Sequence, residues 1–279
     1  MASANKVTLV LGGSGKTGRR IVERLQTRGM PVRVGSRNGQ PPFDWDNPST
    51  WGPALAGTNA AYISYYPDLA VPGAPDAVAA FVAQALNQGT RRLVLLSGRG
   101  EEEAQRAEQI LQASGADWTI IRCSWFMQNF SESFFLEPVL AGEVALPVGD
   151  IAEPFVDADD IADVAVAALT DDGHVGKLYE LTGPRLLTFA QAVAEITRAS
   201  GRTLHFKSVS MEAFAQTLTE QGQPAGIVHF LRYLFGEVLD GRNAHLADGV
   251  EQALGRKARD FAQYARETAA TGAWGGQHA

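Results

Sequence analysis

The first residues able to do chemistry lie near the start of the chain. Gly12-Gly13-Ser14-Gly15-Lys16-Thr17-Gly18 carries the spacing G-x-G-x-x-G from Gly13 to Gly18. An apolar, β-branched run, Val7-Thr8-Leu9-Val10-Leu11, precedes it. A stretch in which Ile21, Val22 and Leu25 share one helix face follows it. Strand, glycine turn and helix together can seat a pyrophosphate on a helix N-terminus. Gly13 and Gly15 omit the Cβ that would hold a phosphate away from the backbone, and Gly18 lets the helix close on the strand. Gly15-Lys16-Thr17 also reads as the end of a nucleoside-triphosphate loop. That loop needs a glycine at position 10, where this chain has Val10. The bland alternative is an ordinary strand-to-helix turn.

Further along, residue types separate two dinucleotides. An NAD site expects an acid about 20 residues after the glycines, accepting from the ribose 2′-hydroxyl. Between Glu23 and Asp44 there is none. The second strand, at 32–35, ends instead in Ser36-Arg37-Asn38. A hydroxyl and a guanidinium there suit a 2′-phosphate, which favours NADP(H) over NAD(H). A solvated surface arginine is the competing account of Arg37.

Other side chains belong to strand ends. Ser64, Tyr65, Tyr66 and Pro67 follow an apolar strand at 60–64, and Ser97 ends another at 92–96. Ligand contacts in an open parallel sheet come from such carboxyl ends. Ser64, Tyr65, Tyr66 and Ser97 are therefore candidate cofactor contacts, and Tyr65, Tyr66 and Ser97 are weak catalytic candidates. Packed tyrosines and a turn serine explain them equally well. Trp125, Phe126, Met127, Asn129 and Phe130 follow a strand ending in Arg122. They form a candidate apolar substrate wall, with a hydrophobic core as the alternative. Cys123 is expected to be buried and inert. His174, His205, His229, His245 and His278 lack ligand spacing, so no metal site is expected.

The elements that must position these residues alternate. Strands at 7–11, 32–35, 60–64, 92–96 and 118–122 are separated by helices, as in right-handed βαβ units. A further short strand is expected at 43–46, and helices at 74–88 and 101–114. Asp159 or Asp160 is the expected N-cap of a helix reaching Leu169. A small strand is expected at 144–148, another at 178–181, a helix opened by Thr188, and a strand at 204–209. From Met211 to about Arg266 the pattern is helical, broken at 222–224 and Gly241, and the tail from Thr271 is expected to be loose. The fold class is therefore α/β: a Rossmann-type, doubly wound parallel sheet with a smaller, mostly helical C-terminal domain. The expected boundaries are 1–150 for the dinucleotide domain, with 155–183 returning to its sheet, and 184–279 for the substrate-side domain.

Composition bounds the function. The 279 residues include 45% hydrophobic and 20% charged side chains, ordinary for a globular protein. A net charge of -7 argues against nucleic acid as a partner. A single cysteine excludes an internal disulfide. No apolar run approaches a membrane span. The N-terminus lacks a signal-peptide layout, so a cytoplasmic protein is expected, as monomer or homodimer, with a small-molecule substrate.

Taken together, the motifs resemble the NmrA-like members of the atypical or extended short-chain dehydrogenase/reductase superfamily. Gly12–Gly18 fits the family's GGxGxxG. The segment 108–130 matches its helix, serine-glycine, strand ending in arginine and aromatic-Asn-Phe; 155–162 and 181–184 match later landmarks. The stretch 255–274 is similar to fungal ergot-alkaloid (festuclavine/agroclavine) dehydrogenases, which reduce an iminium carbon with NADPH. The resemblance implies an NADPH-dependent reductase of an electron-poor molecule such as an iminium, a quinone or a related conjugated acceptor. It also admits a non-catalytic NADP(H)-binding redox sensor, since the group's namesake is a regulator. One departure stands out. The superfamily's Tyr-x-x-x-Lys pair is absent, because Lys6, Lys16, Lys177, Lys207 and Lys257 have no tyrosine four residues before them. No catalytic acid carries over.

Overall fold

The computed structural model describes residues 7–275; Lys6, His278 and the last four residues of the expected loose tail lie outside them. Along the chain run β1 (Val7–Leu11), α1 (Lys16–Thr27), β2 (Val32–Gly35), α2 (Trp51–Leu55), β3 (Thr58–Ile63), α3 (Ala74–Asn87), β4 (Arg92–Gly98), α4 (Glu102–Ala113) and β5 (Asp117–Cys123). Then come α5 (Asn129–Glu132), α6 (Leu136–Ala141), β6 (Glu143–Leu146), β7 (Ala152–Glu153), α7 (Ala158–Thr170), β8 (Lys177–Leu181) and β9 (Leu187–Thr188). The chain closes with α8 (Phe189–Ser200), β10 (His205–Ser208), α9 (Met211–Glu220), α10 (Ala225–Tyr233), α11 (Gly249–Leu254) and α12 (Phe261–Ala270).

Six strands make one parallel sheet in the order β2-β1-β3-β4-β5-β8. In-register pairs such as Val10 with Val34 and with Tyr62 place the ends of β1, β2 and β3 side by side. The chain leaves β1 toward β2 and returns on the other side to β3, so the topological switch point lies between β1 and β3. Leu9, Leu11, Ala61, Ile63, Leu93 and Leu95 are wholly buried, with Val78 and Phe81 of α3 and Leu111 of α4 in the same cluster. Strands covered on both faces need such unbroken apolar runs.

The chain divides into two units. The first comprises Met1–Cys123, Ala158–Leu181 and Asp248–Arg256, and contains the sheet. The second comprises Ser124–Asp157, Thr182–Ala247 and Lys257–Ala279. Residues 124–150, expected in the 1–150 domain, therefore belong to the second unit. Their aromatic side chains pack with Phe155, Phe189, Phe235 and Phe261. Within that unit β6 pairs in parallel with β10, and β7 pairs antiparallel with β9.

Four further local expectations change. Residues 43–46 form no strand. Phe43 and Trp45 both turn inward, 5.7 and 5.4 Å from the Phe81 ring, and the Asp44 carbonyl accepts from Trp51 Nε1 at 2.7 Å. Inward packing of residues two apart is compatible with a strand, but this backbone is committed to α2 and leaves β2 at the sheet edge. Asp159 and Asp160 lie inside the first turn of α7, which begins at Ala158, so neither is its N-cap. The helical stretch from 211 breaks near Gly222 and around Gly241 as expected, but the second break runs across 239–248, a further one lies at 255–260, and the chain passes through a π-turn at Leu234–Val238. Residues 271–275 are held: Trp274 is wholly buried and its indole donates to the Phe130 carbonyl at 2.9 Å. The helix opened by Thr188 is as expected, with a reciprocal capping box to Gln191.

Candidate cofactor and active site

The glycine turn is built by backbone geometry. Gly12 has φ +62°, a conformation that L side chains rarely adopt, and its N–H donates to the Gly35 carbonyl at 2.9 Å. The Gly15 N–H donates back to the Gly12 carbonyl at 2.8 Å, closing the turn. A Cβ on Gly18 would fall 2.1 Å from the Gly12 oxygen, so only glycine lets α1 start this close to the turn. A Cβ on Gly13 would fall 2.8 Å from Val34 Cγ1. Gly13 thus has a packing reason under β2 to lack a side chain. Gly12, Ser14 and Gly15 are exposed, and Gly13, Thr17 and Gly18 are buried. The exposed three sit before the N-terminus of α1, where the helix dipole favours an anion. A Cβ on Gly15 would meet only the Gly12 oxygen, at 3.2 Å. This cradle fits a pyrophosphate.

Thr17 faces inward. Its hydroxyl accepts from Tyr62 of β3 at 2.9 Å, and burial pushes the Tyr62 phenol well above its ordinary range. Lys16 opens α1 and is partly buried.

Two loops flank the turn, one from β2 and one from β3. The Ser36 carbonyl accepts from Gly39 and Phe43 N–H groups, each at 2.9 Å, which fixes the turn that carries Arg37. The exposed Arg37 guanidinium lies 5.7 Å from the centroid of the Tyr66 ring. Tyr66 is itself 68% exposed. Ser64 borders Gly12: its Cβ and Oγ lie 3.5 Å from where a Gly12 Cβ would be. The Ser64 carbonyl accepts from Trp45 Nε1 at 3.1 Å. The Tyr65 ring packs 4.8 Å from Trp45, and burial, then the Asp46 charge, pushes its phenol up.

Ser97 is placed differently. It is buried, and its hydroxyl donates to Glu108 Oε1 of α4 at 2.6 Å. Arg122 of β5 also binds Glu108, with Nε to Oε1 at 2.9 Å. Arg99 is buried and its Nε donates to Glu180 Oε1 of β8 at 2.7 Å. Serine and arginine at the ends of β4 and β5 are thus held by an ion network along the sheet edge.

Sequence reasoning missed two carboxyls here. Asp68 follows β3 and accepts from the Ala70 N–H at 2.9 Å. Burial pushes its carboxyl up, against the Ala70 N–H and the Lys16 charge. Glu101 follows β4. Burial and the charges of Asp68 and Glu108 push its carboxyl well above the ordinary range. The signal was available: both acids follow apolar strands at carboxyl ends. Glu101 was absorbed into the charged start of a helix.

Within the second unit, the five substrate candidates part company. Met127 and Phe130 lie in the closed core, Phe130 with ring neighbours Phe135, Phe155 and Phe261 at 5.0, 5.8 and 5.7 Å. Trp125 and Phe126 keep part of their surface, and Trp125 stands 5.1 Å from the Phe235 ring. Asn129 is buried at the start of α5.

A family model described as NAD(P)H-binding matches residues 12–172, the segment from the glycine turn through α7. Agroclavine dehydrogenase of Claviceps fusiformis is 30% identical over 92% of this chain and 95% of its own length. NAD(P)H azoreductase of Xenophilus azovorans is 29% identical over 94% of this chain and 98% of its own. An NADPH-dependent quinone oxidoreductase of Escherichia coli, solved with NADPH, shares the fold with a TM-score of 0.78 at 20% identity, covering 93% and 99% of the two chains. Among the described residues no helix is long and apolar enough to cross a membrane. With a matching family model over more than half its length, and a dehydrogenase relative 30% identical along nearly all of it, the chain belongs to the NAD(P)H-binding family, as an oxidoreductase.

Proposed function

We propose that this protein is an NADPH-dependent reductase that transfers hydride to an electron-poor small molecule, an iminium, a quinone or a related conjugated acceptor. The observation that carries the cofactor choice is Arg37. Its guanidinium stands at the end of β2 beside the glycine turn, and no acid lies between Glu23 and Asp44. A carboxylate there would repel a 2′-phosphate; a guanidinium attracts it. Gly12, Ser14 and Gly15 hold the pyrophosphate, and Ser36, Arg37, Ser64, Tyr65 and Tyr66 border the rest of the dinucleotide. When bound, the nicotinamide supplies the hydride.

The acceptor class rests on two supports. One relative is named an NAD(P)H azoreductase, after reduction of an azo group, a conjugated acceptor, and another an agroclavine dehydrogenase. The missing Tyr-x-x-x-Lys pair suits an acceptor that is already polarised and needs less help than a ketone. Of the five candidates at 125–130, Trp125 and Phe126 retain surface for such a molecule. The protein works as a monomer or homodimer on a small substrate. Loss of reduced-nicotinamide absorbance, followed against a panel of iminium ions, quinones, azo dyes and enals, tests the proposal. Turnover with NADPH and little with NADH is expected. Tight NADPH binding without turnover on any class overturns it and favours a redox sensor.

A further inference from the structure

The reductase proposal leaves the source of the proton unassigned, and two of the hydroxyls near the strand ends are already committed to partners. Tyr62 donates to Thr17 inside the core, and Ser97 donates to Glu108. We propose that Glu101 is the catalytic acid, which protonates the acceptor after hydride arrives; this rests on the reductase reading above.

The geometry begins at Gly98. A Cβ on that residue would lie 2.2 Å from Glu101 Oε2 and 2.5 Å from Oε1. The carboxyl therefore sits directly on the end of β4, in a seat that exists because residue 98 has no side chain. Glu101 occupies the N-cap position of α4, with φ -103° and ψ 118°, yet its side chain makes no capping bond. It has turned away from the helix amides that would stabilise its charge. Its carboxyl accepts no hydrogen bond among the described residues.

The strand order gives this seat its meaning. A dinucleotide with its pyrophosphate at the β1 turn and its 2′-phosphate toward Arg37 beyond β2 directs its other half across β3 and β4. Glu101 stands on that side, with Asp68 at the end of β3 beside it. The charged groups facing Glu101 are mostly acidic. Asp68 and Glu108 disfavour its ionisation. Arg99 is engaged by Glu180, and the Lys16 charge acts on Asp68. At the end of β5 the Cys123 thiol is itself pushed up by burial and by Glu101. These surroundings keep a carboxylic acid protonated where an ordinary glutamate would be ionised.

The step balances simply. A quinone that takes hydride, and with it two electrons, from the reduced nicotinamide becomes a hydroquinone monoanion. The O–H bond of the Glu101 carboxyl breaks, a phenolic O–H forms, and the carboxylate regains its proton from water. An iminium carbon that takes hydride becomes a neutral amine and needs no proton.

That contrast supplies the test. In Glu101→Gln, NADPH affinity should stay within about twofold, and reduction of a water-soluble benzoquinone should fall on the order of 10²–10⁴-fold. Reduction of an N-alkyl iminium ion should change less than about threefold, a split that a merely structural role would not produce. Without any cofactor, the infrared difference between wild type and Glu101→Gln at neutral pH should contain a protonated-carboxyl band. In Asp68→Asn the titration of that band should move to lower pH, since one opposing charge is gone. A wild-type carboxyl already ionised at neutral pH, or equal losses on both acceptors, overturns the assignment while leaving the reductase intact. Absence of turnover by the wild type on every acceptor fails the reductase reading and the proton donor with it.

Discussion

Gly15 and Gly18 lie three residues apart in the same motif, and the structure predicts opposite phenotypes for their replacement by alanine. Gly15 has φ -81° and ψ -179°, extended backbone that any residue adopts. Its new methyl would meet only the Gly12 oxygen, at 3.2 Å, a contact relieved by a shift of a few tenths of an ångström. Replacing glycine at a compatible position also restricts the unfolded chain, worth roughly 0.4–1 kcal/mol in favour of folding. Gly15→Ala should therefore melt within about 2–4 °C of wild type. The same methyl projects from the exposed turn ahead of α1, where the pyrophosphate must touch backbone. Keeping the phosphate off those amides removes charge-assisted hydrogen bonds worth about 1.5–3 kcal/mol each, so NADPH affinity should fall at least about tenfold. Gly18→Ala reverses the pattern. Its methyl would be 2.1 Å from the Gly12 oxygen, 2.7 Å from the Gly12 carbonyl carbon and 2.8 Å from Gly13 Cα, all backbone. The start of α1 must move off the turn, at about 1–3 kcal/mol or more. Thermal melts and calorimetric NADPH titration on both variants separate the two effects. Wild-type affinity in a folded Gly15→Ala would refute the argument, because the phosphate would then lie elsewhere.

Three further outcomes follow from the same contacts. Arg37→Ala should weaken NADPH by about 1.5–3 kcal/mol, tenfold to over a hundredfold, with NADH nearly unchanged; equal losses by titration would remove Arg37 from the 2′-phosphate. Arg256 binds the wholly buried Asp160 at 2.7 Å and Asp163 at 2.5 Å. Arg256→Ala should cost about 1–2 kcal/mol by denaturant titration through loss of both contacts, and a change below about 0.5 kcal/mol would sink that account. Glu101 predicts a pH effect on stability. Its folded carboxyl holds its proton above the ordinary glutamate range, so between those two values the native chain binds a proton that the unfolded chain has lost. Wild-type stability falls as pH rises through that window, and Glu101→Gln has nothing to ionise. The variant's advantage in denaturant midpoint should be larger at about pH 8 than at about pH 4; a pH-independent difference would mean that the native carboxyl titrates normally.

How much of this was legible beforehand depends on whether local pattern or distant packing decided the outcome. The glycine turn, the individual strands and the Thr188 cap were readable because each rests on residues within a few positions of one another. The role of Gly13 was not. Its crowding comes from Val34, on a neighbouring strand. Residues 43–46 carry the aromatic alternation of a strand, yet Phe81, Trp51 and Ser64 decide their path. Asp159 looked like a cap because acids gather at helix starts. Its partners, Arg20 and Arg24, lie about 135 positions away and outweigh burial to hold its carboxyl below the ordinary range. The same limit hid Met127 and Phe130 in a core that needs Phe155, Phe189 and Phe261 to exist.

Glu101 shows why a missing motif is weak ground for assigning an inert site. Tyr-x-x-x-Lys tunes its proton donor through a lysine four residues away, a relation visible in one line of sequence. A carboxyl needs no positive partner to stay protonated; it needs to lose water and gain negative neighbours. Here those neighbours come from the end of β3 and the middle of α4, and the seat comes from a glycine on β4. A donor assembled in that way leaves no spacing to search for, only an acid after a strand, which looks like a helix beginning.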